Sequence, residues 1–381
     1  MTPGTRRRWI PWVIVAGVLV VALIAALLFV PPFLERRSAE DRYAAAVEER
    51  NAAASDYDDQ RTLADDGRAV AGEALEVADA VATDEAEPYL DPDGFDAVRE
   101  IADELRSAPA PDPQGAGTIE PETYDTVEAY TTAAEALEDE AAALREDADA
   151  LAEAATLFDE KAPQLDTAVA ELRAEIPDRA DQIEKDNISS EARVRIDLQY
   201  AADFAATSED HVTYYIGEYA AAAAAVEDSQ ASEIAEKDQG DGHSDTRLEV
   251  EEFVRSIVGD ARVDFDWAPI VNGLGEGVSA GGYVEWHYLD GGYATMELSN
   301  SVAAYWPDPR FEGLVAHEAG HVITSQCQDL LNDTFEGDAE LMATSWAIGM
   351  GFDNPWGNGV DFYLDGVPPE QELIDATKSC R

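Results

Sequence analysis

The chain has 381 residues, enough for two or three domains of ordinary size. Hydrophobic residues make up 46% of it, but many of these are alanine, which buries little area per side chain. The 81 acidic residues outnumber the 25 basic ones and give a formal charge of −56, so nucleic acid and anionic lipid headgroups are excluded as expected partners by repulsion.

The first element is an apolar run, Trp9–Phe33, that contains no charged residue. It is long enough to cross a bilayer core of about 30 Å as one helix. Three arginines at 6–8 precede it and two at 36–37 follow it, which favours a cytoplasmic N-terminus. No small-residue cleavage site follows the run, so an uncleaved single-pass anchor is predicted over a signal peptide. We therefore expect a cell-membrane protein, with residues 1–8 in the cytoplasm and the chain after the span outside it.

Residues 34–236 are rich in Ala, Glu, Asp and Leu. Leu or Ala at helical spacing among good helix formers predicts helical blocks near 38–82, 121–175 and 188–236. No strict heptad repeat persists over many turns, so an antiparallel bundle or stalk fits as well as a long parallel coiled coil. We expect this region to act as a spacer, to self-associate or to bind a protein partner. A polar, glycine-containing linker is predicted at 237–245.

The composition changes in residues 246–381, where aromatic residues become frequent. Three stretches alternate between apolar and polar side chains, as half-buried strands do: ARVDFDW, GYVEWHYL and GYATMELS. The sequence LDGG between the second and third predicts a hairpin turn. Helical patterns follow near 309–330 and 334–349. Strands followed by helices indicate an α+β domain large enough for its own core.

The chain has two cysteines, Cys327 and Cys380. An even, sparse count in a domain expected outside the cytoplasm predicts one disulfide, which would join the C-terminal tail to the histidine-bearing segment. Two free buried thiols are the alternative.

Two of the five histidines lie in the sequence His317-Glu318-Ala319-Gly320-His321. Residues four apart on an α-helix differ by about 40° around its axis, so both imidazoles project from one face. This is the spacing of two nitrogen ligands on one tetrahedral zinc ion. Glu318 can then reach the open coordination position and accept a proton from metal-activated water. Gly320 is expected to admit close packing or substrate, at a cost in helix stability.

Zinc catalysis needs a third protein ligand, and the segment FEGDAELMA supplies acidic candidates. Glu336 follows His321 by 15 residues, and Glu340 lies one helical turn further, on the same face if both are helical. We assign Glu336 as the ligand and Glu340 as the carboxylate that orients a ligand histidine, with the exchanged assignment left open.

These residues resemble the gluzincin clan of zinc metallopeptidases, and most closely the small minigluzincin type of catalytic domain. In that clan, the Glu that opens a Glu-x-x-x-Asp type segment on the helix after His-Glu-x-x-His is the third zinc ligand. The chain differs in having Glu340 where Asp is commoner and in a short spacing between the two helices. No third histidine follows His321 at the metzincin position.

The resemblance implies a zincin-like α+β C-terminal domain with a small antiparallel or mixed sheet, the His-Glu-x-x-His helix and a following ligand helix. In the predicted fold, an N-terminal transmembrane helix and the all-α, Ala/Glu-rich region precede this domain. The oxyanion that forms at an attacked carbonyl also needs a stabilising group. Candidates by residue type are His287, Tyr288, Tyr293 and Tyr305, although each also suits an ordinary aromatic position. The strand GYATMELS is either an edge strand that pairs with an extended peptide or part of a plain core hairpin.

The function predicted from sequence is a membrane-anchored, extracytoplasmic zinc metalloendopeptidase with Glu318 as general base. Its cofactor is Zn²⁺, its expected metal ligands are His317, His321 and Glu336, and its substrate is a peptide or protein. The alternative is a catalytically silent zinc-binding envelope or interaction protein with a helical stalk.

Overall fold

The computed structural model describes residues 10–110 and 114–380; the side chains of 10–19, 22–23 and 25–31 lie outside the description. Its α-helices are α1 (Ile10–Val81), α2 (Pro92–Ser107), α3 (Val127–Ala174), α4 (Ile176–Asp186), α5 (Ala192–Thr207), α6 (Val212–Lys237), α7 (Ser244–Ile257), α8 (Asn300–Tyr305), α9 (Pro309–Thr324), α10 (Gln328–Asp333), α11 (Ala339–Gly349), α12 (Val360–Tyr363) and α13 (Gln371–Ala376). Its strands are β1 (Arg262–Ala268), β2 (Gly282–His287) and β3 (Tyr293–Ser299).

The predicted fold class is wrong in two respects. The described chain is mostly helical, and its only sheet has three strands, because helices form both before and after this sheet. The predicted transmembrane helix is not found either. In the part of the chain that the structure describes, no helix is long and apolar enough to cross a bilayer.

The predicted cell-membrane localisation is corrected by the same finding. The backbone of the apolar run continues without a break into the charged, alanine-rich remainder of α1 rather than forming a separate helix. Trp9 and most side chains of the run Trp9–Phe33 lie outside the described residues, as does the predicted cytoplasmic segment 1–8.

The chain divides into two compact units. Unit 1 comprises Met1–Asp79 and Asp96–Val169, and unit 2 comprises Ala80–Phe95 and Ala170–Arg381. The last helices of the Ala/Glu-rich region, α4 to α6, therefore belong to the same unit as the sheet.

Within unit 1, α1 and α3 run parallel. Their contacts advance together in both helices: Arg42 pairs with Glu138, Glu49 with Arg145, and Gly67 lies against Phe158. Buried residues recur at alternating spacings of three and four, the repeat of coiled-coil packing, and many are alanine. Small side chains at this seam let the two backbones approach closely. A parallel pair thus replaces the antiparallel arrangement that the sequence left open.

In unit 2, the three predicted strands form one sheet in the order β1-β3-β2. β2 and β3 form the predicted antiparallel hairpin, whereas β1 pairs with β3 in parallel. The strand GYATMELS is therefore the central strand, and its suggested role as the peptide-binding edge is wrong. β2 is an edge strand, and α9 packs against it and β3.

Buried charges join α4–α7 to β1. Lys237, 1% exposed, donates to Glu233 of the same helix and to the Phe265 carbonyl of β1. The guanidinium of Arg195 lies 3.7 Å from the Asp264 carboxylate, and burial raises the pKa of Asp264 to about 7 despite that charge. Lys237, the first residue of the predicted linker 237–245, is therefore part of a buried ion pair within unit 2.

The C-terminal helices hold α9 in the core. Residues 315–325 are buried throughout, and α11 packs along them. A Cβ added to Gly320 would lie 2.7 Å from the Ala343 Cα of α11, so glycine permits a close approach of the two helices there. The predicted disulfide between Cys327 and Cys380 is present, and the Cys380 carbonyl accepts a hydrogen bond from the indole of Trp346.

We expect Gly320→Ala to lower the free energy of unfolding by about 2–3 kcal/mol, because its methyl group meets backbone atoms that cannot move aside. The matched control is Gly217→Ala, at an exposed position of α6 where nothing lies within 4 Å of the added Cβ. It should raise stability by up to about 1 kcal/mol through helix propensity. Urea unfolding followed by tryptophan fluorescence measures both. A Gly320→Ala protein as stable as the wild type would contradict the close helix contact.

Candidate metal centre

Both histidines of the motif lie on the buried side of α9. The helix begins at Pro309, and the Asp308 side chain caps it by accepting from the Arg310 N–H. His317 is 2% and His321 6% exposed, and their ring centroids are 4.9 Å apart. The four-residue spacing thus places both imidazoles side by side, as predicted.

The surroundings of His317 determine which of its ring nitrogens is available to bind a metal ion. The backbone carbonyl of Asn358 lies 3.2 Å from Nδ1, and because a carbonyl only accepts, Nδ1 carries the proton. Nε2 is then an unprotonated nitrogen, the form that ligates metals. The Thr344 hydroxyl lies 3.3 Å from the same Nδ1. A Cβ on Gly359 would lie 2.8 Å from the His317 ring, so the absence of a side chain at position 359 leaves space for the imidazole.

The carboxylate that meets the histidines belongs to Glu340. Its Oε2 lies 3.0 Å from His317 Nε2 and 3.3 Å from His321 Nε2. Although burial acts to raise the pKa of Glu340, its interaction with the two imidazoles lowers it to about 2. Glu340 is therefore ionised at neutral pH.

Glu336 takes no part in this cluster. Its backbone is left-handed, with φ 54°, as is that of Gly337, and its side chain is exposed. α11 begins only at Ala339, after Asp338, whose side chain caps the helix by accepting from the Leu341 N–H. The premise that Glu336 and Glu340 share one helical face therefore does not hold, and the structure brings together the residues of the exchanged assignment.

His317, His321 and Glu340 form a group that could hold a metal ion. One ligand atom from each lies within 4.8 Å of the others. Two imidazole nitrogens and one carboxylate oxygen are a donor set that suits a borderline divalent cation. The fixed tautomer of His317 supports this fit, because its lone pair points to the carboxylate side. The Nδ1 of His321 is buried without a hydrogen-bond partner among the described residues.

Glu318 lies beside this cluster at the wall of a cleft of about 430 Å³. It is 5% exposed, and burial, with a smaller contribution from the Glu340 charge, raises its pKa to about 7. A Cβ on Gly282, the first residue of β2, would lie 2.3 Å from Glu318 Oε1. Glycine at the start of the edge strand therefore leaves space for this carboxylate.

Two aromatic rings cover the histidines. Trp286 of β2 stacks parallel to His321 with ring centroids 5.8 Å apart, and Tyr363 of α12 stacks on His317 at 5.3 Å. Tyr363 also lines the cleft, and burial, together with the Glu340 and Glu318 charges, raises its pKa to about 12. Sequence reasoning missed Tyr363 because nothing in the segment VDFYLDG marks it as close to the motif.

The four aromatic candidates named from sequence do not line the cleft. His287 stacks on Tyr293 across the β2–β3 hairpin, with centroids 4.5 Å apart. The hydroxyl of Tyr288 accepts from the Trp286 indole, and Tyr305 stacks on Phe311. These contacts give each of the four a structural role.

Comparison with models of known protein families, with curated protein sequences and with solved structures finds no match for this chain.

Loss of an outer-shell partner weakens metal binding by about 10–100-fold. Replacing Glu340 with Gln should weaken metal binding by more than this, because a charged ligand is lost. The Glu336→Gln protein, which loses the same charge four residues away, should bind zinc as tightly as the wild type does. Competition of the purified proteins against a chromogenic chelator for Zn²⁺ measures both affinities. The reverse ranking would return the ligand role to Glu336.

Proposed function

We propose that this chain is a zinc metallopeptidase of the gluzincin type, which hydrolyses peptide bonds with Glu318 as general base. The observation that supports this most directly is the convergence of His317, His321 and Glu340 next to a buried carboxylate at the wall of an open cleft. The proposal combines this arrangement with the His-Glu-x-x-His motif and its resemblance to that clan.

Zinc is the metal that the donor set favours. Two imidazoles and one carboxylate are the ligands of catalytic zinc sites that keep a fourth position open, whereas calcium and magnesium prefer oxygen donors. Zinc held by these residues would supply Lewis-acid chemistry, polarising a carbonyl and lowering the pKa of a water molecule.

Glu318 is placed to move the proton during hydrolysis. Its carboxylate would accept a proton from the attacking water as the water oxygen bonds to the carbonyl carbon, and would return a proton to the nitrogen of the leaving amine as the C–N bond breaks. Glu318 lines the same cleft as His317 of the metal-binding group.

Two further features suit a peptide substrate. β2 has β3 on one side and no partner strand on the other within the described chain, so its outer edge is available to an extended peptide. Tyr363 presents a phenol, a hydrogen-bond donor at neutral pH, to the cleft wall next to His317. We assign Tyr363 as the donor that stabilises the oxyanion.

Glu318→Gln should abolish cleavage of casein or a peptide library while zinc content stays at one ion per chain, because only the proton acceptor is lost. The matched control is Glu312→Gln on the same helix, a residue that does not line the cleft. Cleavage by the zinc-loaded full chain is followed by mass spectrometry. Equal activity in the wild-type and Glu318→Gln proteins would contradict the proposed peptidase activity and favour a catalytically silent zinc protein.

Tyr363→Phe should lower kcat by about 10²–10³-fold with little change in KM, since an oxyanion donor acts mainly in the transition state. The ring that stacks on His317 remains, so zinc affinity should not change. Tyr305→Phe, which removes a phenol outside the cleft, is the control. Steady-state kinetics on one cleaved peptide measures both, and unchanged kcat in Tyr363→Phe would remove this role.

A further inference from the structure

The cleft next to the candidate metal centre has apolar walls that remain in contact with solvent. Leu314, Trp356 and Phe362 line it together with Leu274 and Ala280. Phe362 is 70% exposed and Trp356 39% exposed. Large apolar rings left in water around a concave site are typical of a surface that binds an apolar group.

The walls between these side chains are largely backbone. Four glycines line the cleft, at 281, 282, 357 and 359. A Cβ on Gly281 would lie 2.2 Å from the Val271 carbonyl and one on Gly357 2.0 Å from the Arg310 carbonyl, so these positions admit no side chain. An extended chain can therefore approach the cleft backbone closely, while its side chains meet the apolar groups.

The charge of the cleft has one sign. Apart from Glu318, the only acidic residue that lines it is Asp361, and no described lining residue is Lys or Arg. The Asp361 N–H donates to the Pro355 carbonyl, which fixes its backbone, whereas its carboxylate has no hydrogen bond or ion pair among the described residues. An unpaired carboxylate at a binding surface favours a cationic group on the ligand.

The cation next to this region is already neutralised. Arg310 lies over the Trp356 ring, with the guanidinium carbon 5.6 Å from the ring centroid. Both Nε and Nη2 of Arg310 donate to the Asp308 carboxylate at 3.0 Å. The cleft therefore offers no free positive charge to a terminal carboxylate, and the net charge of −56 attracts cations from a distance.

We propose that the cleft selects peptides that place an aromatic or aliphatic side chain against Leu314, Trp356 and Phe362 and a positive charge beside Asp361. This inference rests on the proposed peptidase function and adds a substrate class to it. The positive charge comes either from a Lys or Arg side chain or from the free α-amino group of the peptide. Peptides held by a terminal carboxylate are excluded as preferred substrates.

The test measures binding to the zinc-loaded, full-length Glu318→Gln protein by titration calorimetry, so that cleavage is not needed. Three peptides share one Phe and an amidated C-terminus: an acetylated peptide with Arg, the same peptide with neutral citrulline, and the citrulline peptide with a free N-terminus. The peptide that carries the selected charge should bind about fivefold tighter than acetylated citrulline, as for one partly exposed ion pair. The Arg and free-amine peptides thus distinguish the two sources of charge.

Adding Asp361→Asn should abolish this preference, whereas Asp333→Asn, at an exposed acid of α10 outside the cleft, should leave it intact. Phe362→Ala should weaken binding of all three peptides by about threefold to tenfold through lost apolar contact. Phe204→Ala, which removes an exposed ring that does not line the cleft, should not.

Equal affinities for the three peptides, or no binding of any of them, would overturn the inference. Loss of the preference in the Asp333→Asn protein as well would also overturn the inference, because the preference would then be caused by the net charge of the protein and not by Asp361. These results differ from failure of the proposed function. A wild-type protein that binds with the preference but cleaves nothing contradicts the peptidase alone, and one that cleaves without preference contradicts only the substrate class.

Discussion

The candidate metal centre depends on how closely α11 approaches α9. The two helices meet at Gly320, inside the His-Glu-x-x-His motif, where a side chain would overlap the backbone of Ala343. Glu340 lies three residues before this contact, so the separation of the helices determines whether its carboxylate reaches both imidazoles. The cost in helix propensity of a glycine at this position is offset by the packing and the cluster that it permits. The disulfide at Cys327 and the Trp346–Cys380 hydrogen bond tie the C-terminal tail to the same pair of helices.

Two carboxylates that interact with His317 are placed in different surroundings. Glu340 lies against two imidazoles, whose interaction with the carboxylate lowers its pKa to about 2, whereas Glu318 is buried and its pKa is raised to about 7. A ligand to a cation has to be ionised, while a general base acts best with a pKa near the working pH. Unequal environments for paired carboxylates are how protein sites separate such roles. The proposed function assigns the two residues accordingly.

Much of the local structure could be predicted from the sequence, because it follows from short-range periodicity. The three strands, the hairpin at LDGG and the shared face of His317 and His321 each depend on residues close in the chain. The choice between Glu336 and Glu340 could not be made this way, since the left-handed turn at Glu336 and Gly337 delays the start of α11. Tyr363 and Gly282 reach the site only through tertiary folding. The fold class was misjudged because the strands suggested an α+β class and the apolar run a membrane helix, whereas the described chain is mostly helical and has no helix that could cross a bilayer.

The most direct test of the central claim is crystallographic, using anomalous diffraction at the zinc absorption edge from crystals of the zinc-loaded protein. The account predicts one strong peak per chain, about 2.0–2.2 Å from Nε2 of His317, Nε2 of His321 and a carboxylate oxygen of Glu340. A peak elsewhere, or one bound by Glu336 in place of Glu340, would contradict it.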